Sequence, residues 1–137
     1  MVNALFEQFQ QMSSEDFEYI FKLLLNDVNT RILIAEFVDI PISILEFLVE
    51  HEKNELVLRG IARNIKTPDY LLEKLFFKHG KAFFKKRPYL QSFRSRKIYF
   101  ALALNPNTPA HIRKVLLEDP SINGYAKKYL KDRQNQP

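Results

Sequence analysis

The chain has 137 residues and is 46% apolar, which is long enough for one domain with a sizeable core but short for two. It contains no cysteine, so disulfides, thiolate nucleophiles and cysteine-ligated clusters are excluded, and we expect no cofactor. No run approaches the roughly 18 apolar residues that a membrane helix needs, and the N-terminus lacks the pattern of a signal peptide. We therefore expect a soluble protein of the cytoplasm.

The net charge of +5 conceals a strong asymmetry along the chain. Residues 1–55 carry three Lys and Arg against eleven Asp and Glu, whereas residues 56–137 carry eighteen against five. Such polarity steers partners of opposite charge and speeds association, but it does not specify a fold. It would also allow copies to associate with one another, the acidic end of one against the basic end of the next.

Residues 1–30 predict helices that cap one end of the domain. After a short apolar-periodic stretch at 4–11, the run Ser13 to Asp16 is a helix start signal, because hydroxyls accept from unpaired N–H groups and acids favour the positive helix end. Residues 26–30 are rich in Asn, Asp and Thr and predict a turn. Between them, apolar residues recur at helical spacing: Phe17, Ile20, Phe21, Leu24 and Leu25.

Residues 31–120 predict three two-helix repeats. An alanine precedes a proline by six residues three times, at Ala35 and Pro41, Ala62 and Pro68, and Ala103 and Pro109. The first two copies lie 27 residues apart and the next pair 41, so about fourteen extra residues stand in the second interval. Around these anchors four apolar columns coincide in phase: Ile34, Ile61 and Leu102; Ile44, Leu71 and Ile112; Leu48, Leu75 and Leu116; and Val49, Phe76 and Leu117.

Each repeat is predicted to be a helix, a corner that contains the proline, and a second helix. Proline fits the first turn of a helix and disfavours helical geometry in the residue before it, so it marks a break and a restart. Gly60 and Ala101 would let neighbouring helices approach closely, and the units stack because none can bury its apolar face alone. Residues near the corners suit capping and turning: Asp39, Asn64 and Asn105, with Thr67 and Thr108 directly before two of the prolines.

Two segments, LRGIARNIKTPDYLLEKLF (58–76) and IYFALALNPNTPAHIRKVLLEDP (98–120), resemble the leucine-rich repeat variant, an α-solenoid repeat similar in style to HEAT and armadillo repeats. The third copy matches down to its Asn-Pro-Asn-Thr-Pro corner. The second has Ile65 where the family has proline, and the first, RILIAEFVDIPISILEFLVEH (31–51), keeps only the alanine, the proline and the apolar columns. The resemblance implies short helices stacked in a right-handed superhelix. One described family member holds an iron–sulfur cluster in a separate cysteine-rich region, for which this chain has no thiolate.

The segment that breaks the period, at about 79–97, is the candidate binding site. From Lys78 to Lys97 there are eight Lys and Arg and no acid, with aromatic residues interleaved, and Gly80 and Pro88 predict a loop or a short extra helix. Three interpretations stay open: a solvated rim over packed Phe residues, a surface for an acidic protein partner, or a nucleic-acid contact in which cations meet phosphates and rings stack on bases. The candidate residues are Lys81, Lys85, Lys86, Arg87, Tyr89, Arg94, Arg96 and Lys97.

Catalytic and metal-binding patterns are not found. His51, His79 and His111 do not share a position in the repeat, so we expect exposed or capping histidines and no shared metal site. Three glycines are too few for a phosphate-cradling loop. Six acidic residues could form a strip on the first repeat: Glu36, Asp39, Glu46, Glu50, Glu52 and Glu55. Glu46 and Glu50, four apart on one helix, are expected on its solvated side, without a catalytic role.

The sequence therefore predicts one all-α domain over residues 1–132, a short right-handed α-solenoid of about three two-helix repeats with capping helices. Residues 121–132 would cap the second end, with Tyr125 and Leu130 covering the last apolar face, and the tail from Arg133 would be disordered. The predicted function is non-enzymatic binding of a protein partner of acidic character, without membrane insertion. The alternative is nucleic-acid binding through the same basic segment.

Overall fold

The computed structural model describes residues 11–80, 93–119, 122 and 124–134, and within these ranges the chain is helical throughout, without a strand. The fold class predicted from the sequence, an all-α arrangement of helical repeats, is confirmed. The described elements are α1 (Ser14–Leu23), α2 (Val28–Glu36), α3 (Ile42–His51), α4 (Glu55–Arg63), α5 (Asp69–Leu75), a π-helical turn (Phe76–Gly80), α6 (Phe93–Leu104), α7 (Ala110–Leu117) and α8 (Gly124–Gln134).

These helices stack in two layers. In the A layer, formed by α2, α4, α6 and α8, helix α4 packs between α2 and α6, and α6 packs between α4 and α8. In the B layer α3 packs between α1 and α5, and α7 is joined to α5 by a contact between His111 and Glu73. Each helix thus packs against the corresponding helix of the next repeat.

The predicted apolar columns form the core between the two layers. The first three columns are 0–3% exposed in every repeat, and the fourth is buried at Val49 and Phe76 and half-buried at Leu117. At about 25 cal/mol per Å² of apolar surface removed from water, this continuous seam supplies most of the stabilisation. The cap also behaves as predicted at Leu130, which is 1% exposed, but Tyr125 points outward at 75%.

Helix α2 begins earlier than the sequence suggests, because Asp27 caps it. The Asp27 carboxylate accepts from the N–H of Thr30 at 3.1 Å and from its hydroxyl at 2.7 Å. These hydrogen bonds lower the pKa of Asp27. The predicted turn at 26–30 is therefore wrong from Val28 onward: the polar residues form the first turn of α2 and do not separate two helices.

The corners carry a ladder of asparagine amides that joins successive repeats. Asn64 ends α4, and its Nδ2 donates to the carbonyls of Ala35 and Phe37, both at 2.9 Å. Asn105 ends α6 and donates in the same way to Ala62 at 2.7 Å and to Asn64 at 3.0 Å. Each amide thus satisfies carbonyls at the end of the preceding A-layer helix, which have no partner within that helix.

The threonines and prolines of the corners act differently from the expectation. The hydroxyls of Thr67 and Thr108 are buried and donate back to the carbonyls of Ile61 and Leu102, at 2.7 and 2.6 Å, so they close the preceding helix and do not cap the following one. The prolines occupy the N-cap position itself, in extended conformation, at Pro41, Pro68 and Pro109. They still separate the two helices as predicted.

Gly60 allows close packing within the A layer, as the sequence predicted. A Cβ atom placed on Gly60 would lie 3.1 Å from Cβ of Ala35 and 3.1 Å from Cγ of Glu36. Contacts at that distance require the neighbouring atoms to shift. The small residues on facing positions of α2 and α4 therefore set the spacing of these two helices.

A buried ion pair lies in the interior of the first repeat. Arg31 is 6% exposed and Glu52 is 3% exposed, and they meet through Nε to Oε2 at 2.9 Å and Nη2 to Oε1 at 3.2 Å. Nη1 of Arg31 also donates to the carbonyls of Leu24 and Leu25, both at 2.7 Å. A buried charge is tolerated when it is paired and hydrogen-bonded in this way. The pair fixes the α1–α2 connection against the α3–α4 connection.

In the third repeat a tyrosine occupies the position that Arg31 occupies in the first. Tyr99 precedes Ala103 by four residues, as Arg31 precedes Ala35, and is 1% exposed. Burial raises the pKa of the Tyr99 hydroxyl, and the Asp119 carboxylate that it faces raises it further. A polar group before the anchoring alanine thus meets an acid at the end of the second helix in repeats one and three.

Two predicted boundaries need correction. Helix α6 begins at Phe93, so Arg94, Arg96 and Lys97 belong to the first helix of the third repeat and not to a separate loop. Helix α8 continues to Gln134, and Arg133 is not part of a disordered tail. Its Nη2 donates to the carbonyl of Pro106 at 2.8 Å and its Nη1 to the Tyr129 hydroxyl at 3.2 Å, which fixes the end of α8 against the third corner.

Candidate functional site

The basic segment predicted as the binding site is divided between described and undescribed parts of the chain. Lys81, Lys85, Lys86, Arg87 and Tyr89 lie outside the described residues. The other candidates, Arg94, Arg96 and Lys97, lie on the first two turns of α6.

The exposed face of the B layer is occupied by contacts between repeats. Tyr70 donates its hydroxyl hydrogen to Oε1 of Glu46 at 3.1 Å, and Nε2 of His111 lies 2.8 Å from Oε1 of Glu73. Each contact joins a second helix to the second helix of the next repeat. Tyr70, Glu46, His111 and Glu73 on this face therefore already have partners from the chain itself.

Glu50 is the centre of a further contact of this kind. Its carboxylate pairs with Lys74 and, at 3.7 Å, with Nζ of Lys78. The hydrogen bond and charge of Lys74 hold the pKa of Glu50 below its ordinary value. Lys78 Nζ also donates to the carbonyls of Glu50 at 2.6 Å and Val49 at 3.3 Å, the end of α3 where a cation is favourable.

The acidic strip predicted on the first repeat does not form as one surface. Glu46 and Glu50 are exposed as expected, but they contact the next repeat through Tyr70 and Lys74. Glu52 is buried and bound to Arg31, so it does not belong to an exposed acidic strip. Its Oε1 also accepts from the N–H groups of Lys53 and Asn54, so this carboxylate is structural.

The A layer carries an open groove between α4 and α6, which we call the α4/α6 groove. It encloses about 400 Å³. Most of its lining is apolar, and the two cationic side chains lie one turn apart on α4. The lining residues are Arg59, Arg63, Ile65, Phe100, Ala101, Leu104, Asn105 and Pro106.

The apolar side chains of the groove are accessible from solvent. Ile65 is 57% exposed and Leu104 is 38% exposed, while Phe100 is half-buried and contacts the core. Ile65 and Pro106 come from two successive corners, so the groove extends to the ends of the A-layer helices. Exposed apolar residues gathered beside cations form a surface that can bind another molecule.

The arginines of the groove are only weakly engaged within the chain. Arg63 approaches Oε1 of Glu36 at 4.0 Å, the outer limit of an ion pair, and the Arg63 side chain is 56% exposed. Nε of Arg59 is covered by protein atoms and donates to no acceptor in the described residues. Both guanidinium groups therefore keep donors for an acidic ligand.

Between α2 and α4 the equivalent positions of the preceding repeat place an acid opposite an arginine. Arg59 and Arg63 stand three residues before and one after Ala62, and Ile32 and Glu36 occupy these places around Ala35. Between α2 and α4 the acid of one repeat thus faces the arginine of the next. Between α4 and α6 the facing residues are Phe100 and Leu104, which cannot neutralise an arginine.

The histidines are separated, as predicted. His51 is exposed and packs against Phe47 with ring centroids 4.4 Å apart, and exposed His111 contacts Glu73. His79, in the π-helical turn, differs from the expectation because it is half-buried. Burial, with the charge of Lys78 beside it, lowers the pKa of His79. Within the described ranges no group of three or more acidic or histidine residues could hold a metal ion.

Sequence reasoning did not identify the α4/α6 groove, although a signal was present. Arg59 and Arg63 are spaced by four residues, as are Phe100 and Leu104, so each pair lies on one side of its helix. The signal lies in the outer positions of the repeats and not in the recurring apolar columns: two cations of repeat two correspond to two apolar residues of repeat three.

Comparison of the chain with models of protein families, with curated proteins and with solved structures finds no match. In the part of the chain that the structure describes, no helix has the length and hydropathy needed to cross a membrane.

Proposed function

We propose that this protein is a non-enzymatic binding module, built from repeats of the leucine-rich repeat variant type, that holds an acidic and apolar segment of a protein partner in the α4/α6 groove. The observation that carries the proposal is the pair Arg59 and Arg63 beside the apolar wall formed by Phe100 and Leu104. Carboxylates of the partner pair with the arginines, and its apolar side chains cover the wall.

The contrast between the two layers supports this choice of face. On the B layer, Glu46, Glu50 and Glu73 each contact a side chain of the following repeat. A partner binding there must first displace these contacts. On the A layer, Arg59 and Arg63 can bind an acid without loss of a strong internal pair.

The size and chemistry of the groove support a peptide as its ligand. A space of about 400 Å³ accommodates a few side chains, within the range of sites that bind small ligands or peptide anchors. Arginine is favoured at protein interfaces because its planar group binds carboxylates through two hydrogen bonds and also packs on apolar surface. The positive charge of residues 56–137 steers an acidic partner towards this end of the molecule.

The test uses a short labelled peptide in which Glu alternates with Leu and Phe, titrated with the protein and followed by fluorescence polarisation. Arg59→Glu combined with Arg63→Glu should weaken binding by about tenfold or more, since each charge-assisted hydrogen bond contributes about 1.5–3 kcal/mol. The matched control is Lys127→Glu combined with Lys128→Glu on α8, which makes the same change in net charge away from the groove.

Two outcomes decide this proposal. The proposal requires preference for the Glu peptide over a Lys version, with loss specific to the groove variant. Equal loss in both charge-reversal variants would reveal general electrostatic attraction and refute a defined groove.

The second candidate function is nucleic-acid binding through the basic segment, favoured by the density of cations at 78–97. It predicts that single-stranded DNA or RNA is retarded in a gel at low salt, with affinity that falls steeply as salt rises. The retardation should disappear when Lys85, Lys86, Arg87, Arg94 and Arg96 are neutralised. Binding of an oligonucleotide without binding of the peptide would replace the first proposal by this one.

A further inference from the structure

A second cationic recess lies between α7 and α8, apart from the α4/α6 groove. It encloses about 210 Å³ and is more enclosed by its walls than the groove. Two cations from α7 stand at its edge, and two leucines form its apolar floor. The lining residues are Ala110, Arg113, Lys114, Leu117, Leu130 and Gln134. We call this space the α7/α8 recess.

Arg113 in this recess lacks a counterion. Its Nε and Nη1 are covered by protein atoms and donate to no acceptor, and Arg113 forms no ion pair with the described residues. Burial lowers the pKa of Arg113, and the charge of Arg133 nearby lowers it further. A desolvated cation beside a second cation is unfavourable unless a negative group is present.

Arg133 does not neutralise Arg113 and adds a second positive charge near it. Its two terminal nitrogens already donate to the neutral acceptors Tyr129 and Pro106, so they hold the guanidinium in place without neutralising it. Lys114, which is exposed, adds a third positive charge at the edge of the recess. Two cations, Arg113 and Lys114, therefore line this small space, with the positive charge of Arg133 nearby.

No acid of the described residues lines the recess. Asp119, at the end of the α7 segment, is buried and faces Tyr99. Glu73 contacts His111. The described residues therefore place no counterion within the recess, which leaves room for a negative group of a ligand.

We propose that the α7/α8 recess binds an oxyanion, the phosphate or carboxylate group of a ligand, between Arg113 and Lys114. Guanidinium and ammonium groups bind such anions through short, charge-assisted hydrogen bonds. The proposal does not depend on the α4/α6 groove, since no lining residue is shared between the two spaces.

The experiment titrates the full chain with inorganic phosphate at constant ionic strength and follows the Arg Nε–Hε resonances by NMR. Phosphate should shift the Arg113 resonance in a saturable manner and raise the melting temperature. Arg113→Gln and, separately, Lys114→Gln should weaken phosphate binding by about tenfold, the equivalent of one charge-assisted hydrogen bond. Lys22→Gln on α1, which removes one charge from an exposed residue that lines neither space, is the matched control and should leave phosphate binding unchanged.

Parallel titrations with phenyl phosphate and acetate identify the source of the anion. Tighter binding of phenyl phosphate than of acetate supports a phosphorylated ligand. Binding of acetate that is as tight as that of phenyl phosphate supports a carboxylate ligand. An Arg113→Gln variant that fails to fold leaves Lys114→Gln, on an exposed side chain, as the decisive substitution. The proposal is overturned if neither anion shifts Arg113, or if phosphate stabilises Lys114→Gln as much as it stabilises Lys22→Gln.

Discussion

Replacement of Asn105 by alanine tests the amide ladder that joins the second and third repeats. Asn105 is 3% exposed, and its Nδ2 donates to the carbonyls of Ala62 at 2.7 Å and Asn64 at 3.0 Å. Its Oδ1 accepts from the N–H of Asn107 at 2.8 Å. The substitution removes these hydrogen bonds and leaves two carbonyls at the end of α4 without this donor.

The expected loss follows from the burial of these carbonyls. A typical hydrogen bond contributes about 1 kcal/mol net, whereas a buried group left unsatisfied costs about 1–3 kcal/mol. For two carbonyls we expect the free energy of unfolding to fall by about 2–4 kcal/mol, a large share of the stability of a small domain. Asn105→Asp should cost more than Asn105→Ala, because a carboxylate places an acceptor where two carbonyls require a donor.

Urea unfolding followed by circular dichroism at the helical band measures this change, since the chain has no tryptophan. Asn107→Ala is the matched control. Asn107 also donates to two carbonyls, those of Ile65 at 2.7 Å and Thr67 at 3.0 Å, but from a half-exposed site where water can replace it. Equal losses for Asn105→Ala and Asn107→Ala, or a milder effect of Asn105→Asp, would refute the role given to burial.

Three further experiments test separate features of the fold. Gly60→Val should lower the free energy of unfolding by about 1–3 kcal/mol, because the added atoms meet Ala35 at the closest point of α2 and α4, whereas Gly124→Ala enters open space and should be neutral or stabilising by urea unfolding. Arg31→Met should cost about 3–5 kcal/mol by leaving the Glu52 carboxylate buried without its cation, and adding Glu52→Gln should recover part of that loss in a double-mutant cycle. Because the pKa of His79 is lowered on folding, the folded state binds fewer protons near pH 6.5, so stability should fall as pH decreases from about 7.5 to 5.5, and His79→Gln should flatten this part of the pH profile relative to the parent chain.

The apolar columns and the corners could be predicted from the sequence because their causes are local. Ile34, Ile61 and Leu102 recur at a fixed distance from an alanine, and such periodicity follows directly from helix geometry. Proline interrupts a helix for covalent reasons that no tertiary contact reverses. The number of repeats and the class of fold depend on these two signals alone.

Features that depend on contacts between repeats could not be predicted in the same way. The sequence predicts that Asn105 serves its own corner, and its Oδ1 does so by accepting from the N–H of Asn107. No nearby signal predicts that its Nδ2 also donates to carbonyls of the previous repeat. Glu52 resembles its exposed neighbours in sequence, and only the position of Arg31, 21 residues earlier, explains its burial. The sequence predicts a disordered tail from Arg133, because nothing nearby in the sequence indicates the contact of Arg133 with Pro106.

The candidate groove illustrates how a repeat protein can acquire function without disturbing its core. The residues three before and one after the anchoring alanine lie outside the buried columns in each A-layer helix, although Ile32 and Phe100 pack partly against the core. In repeat two these positions hold Arg59 and Arg63, and in repeat three they hold Phe100 and Leu104. A groove with cations on one wall and apolar groups on the other arises because neighbouring repeats differ at positions that the buried columns do not determine. Exchange of the two pairs, as Arg59→Phe and Arg63→Leu with Phe100→Arg and Leu104→Arg, removes the contact of Phe100 with the core and should lower the stability, but it should preserve the helical content and invert the groove. A loss of folding would refute the view that these positions are separate from the core columns.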